Sequence, residues 1–525
     1  MNFHSHSIPD RRRRFYLPMQ KVLLHQQVEN PLVVTDNQEY QSVIHYCKEM
    51  MTIHPGGRII LDIGKSIHGG IRLTYCDGPC RLRVKFGESV SEAVNTPDPD
   101  SSCREAVLET SNFGMLEYGN TVFRFVQIEN IGKVPFVCQN IIAVALECDC
   151  IVTGAFESSD KLLNDIWKTA VRTVHLCMQD YIYDGSKRDR IVWMGDLHPE
   201  VKGICCAFSD TAIVRDTLEF IIRQTPCGEP MNGFYTYSCW FIITLWDYLC
   251  ISSDDRFVRE HAEYIQTVLR KWSTYVDADG KCIMPEPLFL DWPNENHPQA
   301  KSAGIHALLY WMITCGIKLL NYLGKDTSFL HTAQRKLGSN IPAPAGRKAP
   351  AALLTLTGLS DCRNILETDP FAGISTFYGY YMLLAKETVA AQKLIRRYWG
   401  GMLELGATSF WEDFDLAWME NAGRIDEIPV SGKRDIHLEC GAYCYKGLRH
   451  SLSHGWSCGP APFLSERCLG VSFPEPGKVI VKPDLGDLQE LHGQVPTPLG
   501  IITVEADRRG RKNIVIPDGL ILVKE

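Results

Sequence analysis

Residues 156–178 read FESSDKLLNDIWKTAVRTVHLCM, and in this stretch the chain changes from strand-like to helical patterning. Ser159 and Asp160 stand where a helix takes its amino-terminal cap, and the apolar residues after them recur at helical spacing. Upstream, short β-branched or alternating runs are separated by Gly, Pro and Asp, namely IILDIG, GIRLTYC, CRLRVKFGE and TVFRFVQIENI. This pattern predicts an N-terminal β-sandwich over residues 1–154.

Downstream of this stretch, apolar segments of helical length follow one another to about residue 465, joined by loops that contain Gly and Pro. They include TLEFIIRQT, CWFIITLWDYLC, EYIQTVLRKWSTYV, IHALLYWMITCGIKLLNYLG and ISTFYGYYMLLAKET. Many antiparallel helices in one unit predict a helical barrel over residues 155–465. Strand-like runs return in KVIVKPDLG and GIITVEADRRG, so residues 466–525 are predicted to form a small β-domain. The predicted fold class is multidomain, with a helical barrel between two β-domains.

Composition narrows the classes of function. With a net charge of -8, the protein lacks the positive field that would attract nucleic acids or anionic membranes, so neither is expected as a partner. The N-terminal residues show no apolar segment of a secretory signal, and we expect a cytoplasmic protein. The 20 cysteines show no repeated C-x-x-C, so we expect structural thiols, no metal and no cofactor. The sequence does not decide between a monomer and a homo-oligomer.

The densest polar cluster is YDGSKRDRIVWMGD at residues 183–196. It contains Asp184, Asp189 and Asp196 together with Arg188 and Trp193, a combination that packing alone does not explain. A tryptophan beside carboxylates offers an apolar ring face next to acceptors for hydroxyl groups, as sugar-binding sites do. The alternative is a surface loop of ion pairs, and composition alone does not separate the two interpretations.

Further loops place Trp or His near Asp or Glu. They contain Trp240, Asp291 with Trp292, Trp411 with Glu412, and His454 with Trp456. Taken singly, each of these aromatic residues could equally be a core residue, because tryptophans are usually buried. A barrel, however, brings its loops to one end. Glycosidic cleavage needs one carboxylic acid and a second carboxylate across the sugar, and Asp189 and Glu412 supply such a pair.

These motifs, taken in order, resemble the α-L-rhamnosidases of glycoside hydrolase family 78. The resemblance runs through LDIGKSIHGGIRL, VKFGESVSEA, the acidic segment, FLDWP, GATSFWE, HSLSHGWSCGP and VPTPLGIITV. It implies an (α/α)6 barrel with flanking β-domains and metal-independent hydrolysis with inversion. The implied substrate is a terminal α-L-rhamnose on a small glycoside or oligosaccharide.

By this resemblance, Asp189 falls at the position of the general acid and Glu412 at that of the general base. The remaining candidates for substrate binding are Asp184, Arg188, Trp193, Asp196, Trp240, Asp291, Trp292, Trp411, His454 and Trp456. Among them, His454 matches a sugar-contacting histidine, and Trp240 and Trp292 resemble aromatic walls around the rhamnose.

The chain departs from the family pattern at two positions. Asp189 stands where the family has Glu, and Val192 stands where it has Gly. Two alternatives follow: an (α/α)6 glycosidase acting on another deoxy- or uronic sugar, or a sugar-binding homologue without catalysis.

Overall fold

The computed structural model describes residues 10–35, 49–77, 79–101 and 105–523. The N-terminal strands and one short helix are β1 (Arg12–Pro18), β2 (Lys21–Glu29), β3 (Met51–Asp77), β4 (Arg81–Gly87), α1 (Val90–Val94), β5 (Ala106–Glu109), β6 (Gly114–Asn130) and β7 (Phe136–Cys148). Among the described residues these strands form one seven-stranded antiparallel sheet in the order β1-β7-β3-β6-β4-β5, with β2 paired to β3.

The long strands β3 and β6 connect this sheet to the rest of the protein. Gly69 in β3 lies so close to β7 that a Cβ atom would stand 1.9 Å from the carbonyl oxygen of Val144, so only glycine fits. A buried ion pair joins Arg124 on β6 to Asp62 on β3 at 2.8 Å. Arg124 also donates to the carbonyl oxygen of Gly406 at 3.0 Å, which attaches the sheet to the helical part.

Helices occupy most of residues 161–468. They are α2 (Lys161–Cys177), α3 (Leu197–Ala207), α4 (Ala212–Gln224), α5 (Tyr235–Ser252), α6 (Asp255–Glu260), α7 (Ala262–Ser273), α8 (Pro298–Tyr322), α9 (Ser328–Ser339), α10 (Lys348–Leu356), α11 (Arg363–Glu367), α12 (Thr376–Leu384), α13 (Thr388–Glu404), α14 (Ile436–Glu439) and α15 (Pro460–Phe463). A 3-10 helix, Gly455–Cys458, leads into α15, and a π-helical turn, Leu464–Cys468, follows it.

The first long helix, α2, begins where the sequence predicts. Asp160 caps it, since its carboxylate accepts hydrogen bonds from the main-chain N–H groups of Leu162 and Leu163 at 2.8 and 3.2 Å. Leu163, Ile166 and the other apolar residues of the repeating pattern are buried. One face of α2 therefore packs on the helical core, as the spacing indicates.

Helix α8 is the longest. Within the described ranges, it alone has the length and apolar composition of a membrane-spanning helix, and 78% of its most apolar window is buried against the rest of the protein. Burial of this kind is typical of a core helix. The cysteines of the described ranges are free thiols and most are buried, in agreement with the structural role expected for them.

The helices α3, α5, α8, α10 and α12 each pack against the next one in this order, and residues 455–463 pack against both α12 and α3. Within residues 105–523, these six segments close a ring. Outside the ring, α2 packs on α3, α7 and α9 pack on α8, α11 packs on α10 and α13 packs on α12. The nearly complete burial of α5 and α12 agrees with their inner position.

The amino ends of the ring segments meet at one end of the ring. Asp196 precedes α3, His454 precedes the 3-10 helix, and their side chains lie 3.3 Å apart. Ser375 caps α12 and donates at 2.8 Å to Asp291, which precedes α8. The loops that carry the predicted site residues therefore converge at this end, where the helix dipoles favour negative charge.

The remaining strands are β8 (Ala155–Ser158), β9 (Val471–Ser472), β10 (Lys478–Val481), β11 (Glu490–Thr497), β12 (Gly500–Asp507), β13 (Lys512–Val515) and β14 (Ile521–Leu522). In the described part of the chain they form a sheet β13-β12-β11-β8 and a small sheet β14-β10-β9. β8 thus shares a sheet with the C-terminal strands, although the chain passes directly from β8 into α2. The predicted combination of helices with several, mainly antiparallel, sheets is confirmed.

Candidate active site

The loop of residues 183–196 runs from α2 to α3, and Asp184 holds it closed. The buried carboxylate of Asp184 accepts a hydrogen bond from the N–H of Ile191 at 3.1 Å. The main-chain carbonyl oxygen of Asp184 accepts one from the N–H of Gly455 at 2.7 Å. Burial raises the pKa of Asp184 well above its usual value, and the carboxyls of Asp196 and Asp189 raise it further. Asp184 therefore fixes the loop against the neighbouring segment that begins at Gly455.

Asp189 lies in a strained part of this loop. Asp189 and Arg190 both adopt the left-handed backbone region, with φ of 52° and 56°. This conformation costs an L-residue about 1–2 kcal/mol, and Asp tolerates it better than Glu because its short side chain can bond locally. The Asp189 carboxylate, 32% exposed, accepts a hydrogen bond from Nε1 of Trp193 at 3.3 Å. The backbone conformation thus gives a physical reason for Asp where the family has Glu.

Glu412 lies in the opposite kind of environment. Its side chain is buried, Nη2 of Arg188 donates to both of its carboxylate oxygens, and the N–H of Ser451 donates at 3.3 Å. Burial by itself raises the pKa of Glu412, but the nearby His454 and Arg188 outweigh it and hold this pKa below its usual value. Glu412 is therefore ionised near neutral pH.

Arg188 brings the two predicted catalytic carboxylates together. Its Nη1 lies 3.4 Å from Asp189 while Nη2 is bonded to Glu412, although these two residues are far apart in sequence. One guanidinium between them limits the separation of the carboxylates to roughly 8 Å or less, which suits the two sides of one glycosidic bond. The structure therefore brings Asp189, Arg188 and Glu412 together at the ring end.

Further buried acids lie behind this group. Burial raises the pKa of Asp196, whereas the neighbouring His454 lowers it. Glu200 on α3 is completely buried, and neither of its carboxylate oxygens has a hydrogen-bond partner among the described residues. Burial raises its pKa well above the usual value. Sequence reasoning missed Glu200, because one acid within an apolar helix gives little signal.

Two acids stand on the side of the site near Glu412. Burial raises the pKa of Asp291 to about 7, and burial raises that of Asp413 to about 7 as well. The N–H of Asp413 donates to Nε2 of His450 at 3.0 Å. A cavity of about 410 Å³ opens beside Asp291, with Arg347 and Lys348 in its wall. Asp413 and His450 were not among the predicted site residues, although Asp413 directly follows the motif GATSFWE and His450 begins the motif HSLSHGWSCGP.

Half-buried and buried aromatic rings stand around this end of the ring. Trp193 meets Tyr237 edge to face with ring centres 6.1 Å apart, and Trp292 stacks on Tyr443 at 6.1 Å. The ring of Trp456 is largely buried on Phe377, and its Nε1 donates to the carbonyl oxygen of Glu412 at 2.9 Å. Trp193 and Trp292 are half-buried, so they retain surface for a ligand.

Trp240 and Trp411 are more deeply buried than a ring that stacks on a sugar. Trp240 is 1% exposed and packs against both His198 and Tyr381 in the helical core, with ring centres 5.5 and 5.1 Å away. Trp411 has no exposed surface and meets Phe414 edge to face. In this structure neither ring offers a free face, and their contact with substrate stays a prediction.

Glu88, Glu92 and His437 form the kind of cluster that can bind a metal ion. The ammonium of Lys187 already lies among them, 2.8 Å from Glu92 and 3.3 Å from Nε2 of His437. This buried ammonium balances one of the two carboxylates, and burial raises the pKa of the other, Glu88, to about 7. The cluster is therefore accounted for without an ion.

Residues 152–320 match the family model of the bacterial alpha-L-rhamnosidase 6 hairpin glycosidase domain. This part of the chain, which ends within α8, is similar to that domain. The match includes the loop of residues 183–196, Trp240, Asp291 and Trp292, and ends before Glu412 and His454. The resemblance to α-L-rhamnosidases and the prediction of a glycoside hydrolase domain are thereby confirmed. No curated protein sequence matches the chain.

Several solved rhamnosidases share the fold. The family 78 rhamnosidase of Bacillus sp. GL1 is 18% identical with a TM-score of 0.71, over 94% of this chain and 56% of that one. The Klebsiella oxytoca rhamnosidase with rhamnose bound is 22% identical with a TM-score of 0.68, over 86% and 95%. The Streptomyces avermitilis enzyme complexed with L-rhamnose is 14% identical with a TM-score of 0.72, over 97% and 49%. This chain thus spans about half of two of these proteins and nearly all of the third.

Proposed function

We propose that this protein is an inverting glycoside hydrolase that removes terminal α-L-rhamnose from small glycosides or oligosaccharides. The observation that carries the proposal is the convergence of Asp189 and Glu412 on the single guanidinium of Arg188. Inverting hydrolysis requires a proton donor on the leaving-group side and a carboxylate that activates water on the other side of the sugar. The family match of residues 152–320 and the rhamnosidase folds support rhamnose as the sugar.

Glu412 acts as the general base in this proposal. Because its pKa is held below the usual value, the carboxylate is ionised and ready to accept a proton from water. Oε2 accepts from both Arg188 and the N–H of Ser451, whereas Oε1 accepts from Arg188 and keeps a further lone pair for the water. The water attacks the anomeric carbon while its proton passes to Glu412.

Asp189 acts as the general acid. Its carboxyl is partly exposed, so it can regain a proton from solvent after each turnover, and Nε1 of Trp193 fixes its direction. Asp196 and His454 are assigned to substrate hydroxyl groups, and Trp193 and Trp292 to the apolar faces of the sugar. Asp184 supports these contacts by fixing the loop, since its carboxylate is engaged with Ile191.

The helical region is proposed to be an (α/α)6 barrel. The closed ring from α3 to residues 455–463, with helices packed outside it, supports this arrangement. In such a barrel the inner helices run in one direction, which agrees with the meeting of their amino ends around Asp189 and Glu412.

The deciding experiment incubates the protein with phenyl α-L-rhamnoside and follows the released sugar by NMR. Initial release of β-L-rhamnose supports the proposal, whereas initial release of the α-anomer contradicts inversion. A panel of aryl glycosides of other deoxy- and uronic sugars is tested in parallel, because turnover of one of them but not of the rhamnoside would move the assignment to that sugar. Rhamnose binding by calorimetry without any turnover would identify a sugar-binding homologue.

A further inference from the structure

The N-terminal sheet region contacts both loops that carry the proposed chemistry. The segment VKFGESVSEA, which includes most of α1, places Glu88 and Glu92 in a buried interface with the helical region. Oε1 of Glu92 pairs with the ammonium of Lys187 at 2.8 Å, and Oε2 of Glu88 accepts a hydrogen bond from the N–H of Leu452 at 2.8 Å. Lys187 directly precedes Arg188 and Asp189 in the chain. This segment therefore holds the loop of Asp189 and the loop of His454 at once.

The ammonium of Lys187 is the centre of this contact. It is 2% exposed and also donates to the carbonyl oxygens of Leu448 and His450, the latter at 2.9 Å. Glu92 is the nearest carboxylate to it and keeps a second contact, since its Oε2 accepts from the N–H of Glu88 at 2.8 Å. A buried, fully bonded ion pair of this kind fixes the position of the chain on either side of it.

A second attachment lies on the other side of Asp189. Nη1 of Arg190 donates to the carbonyl oxygen of Asn120 on the N-terminal sheet at 2.9 Å. On the side of Lys187, the N–H of Val122 also donates to the carbonyl oxygen of Ser186 at 3.3 Å. Asp189 therefore lies between two points that are both bonded to the N-terminal sheet. Its left-handed backbone and that of Arg190 persist only where neighbouring structure enforces them.

We infer that Glu92 is a positioning residue for the general acid: through Lys187, the N-terminal sheet region sets the place of Asp189 opposite Glu412. The inference rests on the proposed function and assigns to the N-terminal region a part in the reaction. Glu92 lies behind Lys187 and acts on the chemistry only through it.

The test uses two leaving groups. Departure of phenol from phenyl α-L-rhamnoside needs a proton from the acid, whereas 2,4-dinitrophenolate departs with little help. Glu92→Gln removes the charge that anchors Lys187. We expect kcat/KM to fall about 30-fold on the phenyl substrate and less than about 3-fold on the dinitrophenyl substrate, since misplacement of a catalytic group by about 1 Å costs up to about 100-fold. Glu92→Asp keeps the charge and should recover part of the loss.

Asp62→Asn is the matched control. Asp62 is also a buried acid of the N-terminal sheet, it pairs with a buried cation, Arg124, at 2.8 Å, and it also accepts a main-chain N–H, that of Gly64. Neither Asp62 nor Arg124 bonds to the loops of Asp189 or His454 in the described residues. Its amide variant should slow both substrates by the same factor. Equal slowing of both substrates by Glu92→Gln would overturn the inference.

Two further measurements keep the outcome decisive. If Glu92→Gln does not fold, Arg190→Ala at the half-buried second attachment is used, and it should show the same dependence on leaving group. If the wild type turns over neither rhamnoside, the proposed function fails while the inference stays testable by amide hydrogen exchange. Faster exchange in residues 184–196 and 448–455 of Glu92→Gln but not of Asp62→Asn supports the attachment, and equal exchange in the two variants contradicts it.

Discussion

Asp189 and Glu412 contact the same guanidinium, yet the chain holds them by opposite means. Glu412 is buried in the helical region, and two of its neighbours, Arg188 and His454, keep its pKa below the usual value in spite of burial. Asp189 is 32% exposed, its backbone is left-handed, and its loop is attached on both sides to the N-terminal sheet. One carboxylate is fixed by charge in the interior, and the other by the backbone at the surface.

This difference matches the two tasks. A base must stay ionised until water arrives, so a carboxylate paired with a buried guanidinium serves it well. An acid must be reprotonated in every turnover, which solvent access allows for Asp189. The comparison therefore predicts that loss of Glu412 damages both activity and stability, whereas loss of Asp189 damages activity alone.

Glu412→Gln tests the buried side and should have the largest effect. We expect kcat to fall by about 1000-fold, because a general base contributes about 100- to 10,000-fold. The free energy of unfolding should fall by about 3 kcal/mol, because the buried Arg188 loses its buried partner and keeps only the more exposed Asp189, 3.4 Å away, as counter-charge. Initial rates and chemical denaturation measure the two effects. A variant within tenfold of wild-type activity would place the base elsewhere, with Asp413 as the next candidate.

Asp189→Asn tests the exposed side. On phenyl α-L-rhamnoside we expect kcat/KM to fall by about 100-fold, and on the 2,4-dinitrophenyl substrate by less than about tenfold, because the latter leaving group needs no proton. The free energy of unfolding should change by less than about 0.5 kcal/mol, since Asn adopts the left-handed region as readily as Asp. If Asp413→Asn showed this dependence on leaving group and Asp189→Asn did not, the acid would be Asp413.

The sequence predicted those parts of the fold that depend on local patterns. The cap at Asp160 and the apolar spacing after it located α2, and the motif order led to the rhamnosidase family. The pairing of β8 with β11 was beyond such reasoning, because it joins residues more than 300 positions apart and neither strand signals its partner.

The candidate site was predicted in part. Asp189, Arg188 and Glu412 were named from their motifs and do lie together. The burial of Trp240 was not predicted, because the sequence around a tryptophan in a helix does not show whether its ring lines a binding site or lies in the core. The contact of Glu92 with Lys187 was not predicted either, since a buried ion pair between two regions depends on how they dock.

The smallest expected effect concerns the buried acids beside Glu412, and Asp291→Asn tests it. Burial raises the pKa of Asp291 from its usual 3.8 to about 7. Because the folded-state pKa lies above the unfolded one, folding takes up a proton on Asp291 between these values. Its contribution to stability is complete below about pH 4 and is lost as pH rises through about 7.

From about pH 5.5 to about pH 8, Asp291 should therefore cost the wild type on the order of 2 kcal/mol of unfolding free energy, at about 1.4 kcal/mol per pH unit below its pKa. Asn at this position cannot titrate, and its side-chain oxygen still accepts from the hydroxyl of Ser375. The stability of Asp291→Asn relative to wild type should consequently rise by this amount over the same interval, measured by urea denaturation at both pH values. Parallel pH profiles for the two proteins would mean that Asp291 is ionised in the folded state. The interior beside Glu412 would then tolerate a second negative charge. Burial would then not explain the contrast between Glu412 as a protected base and Asp189 as an exposed acid.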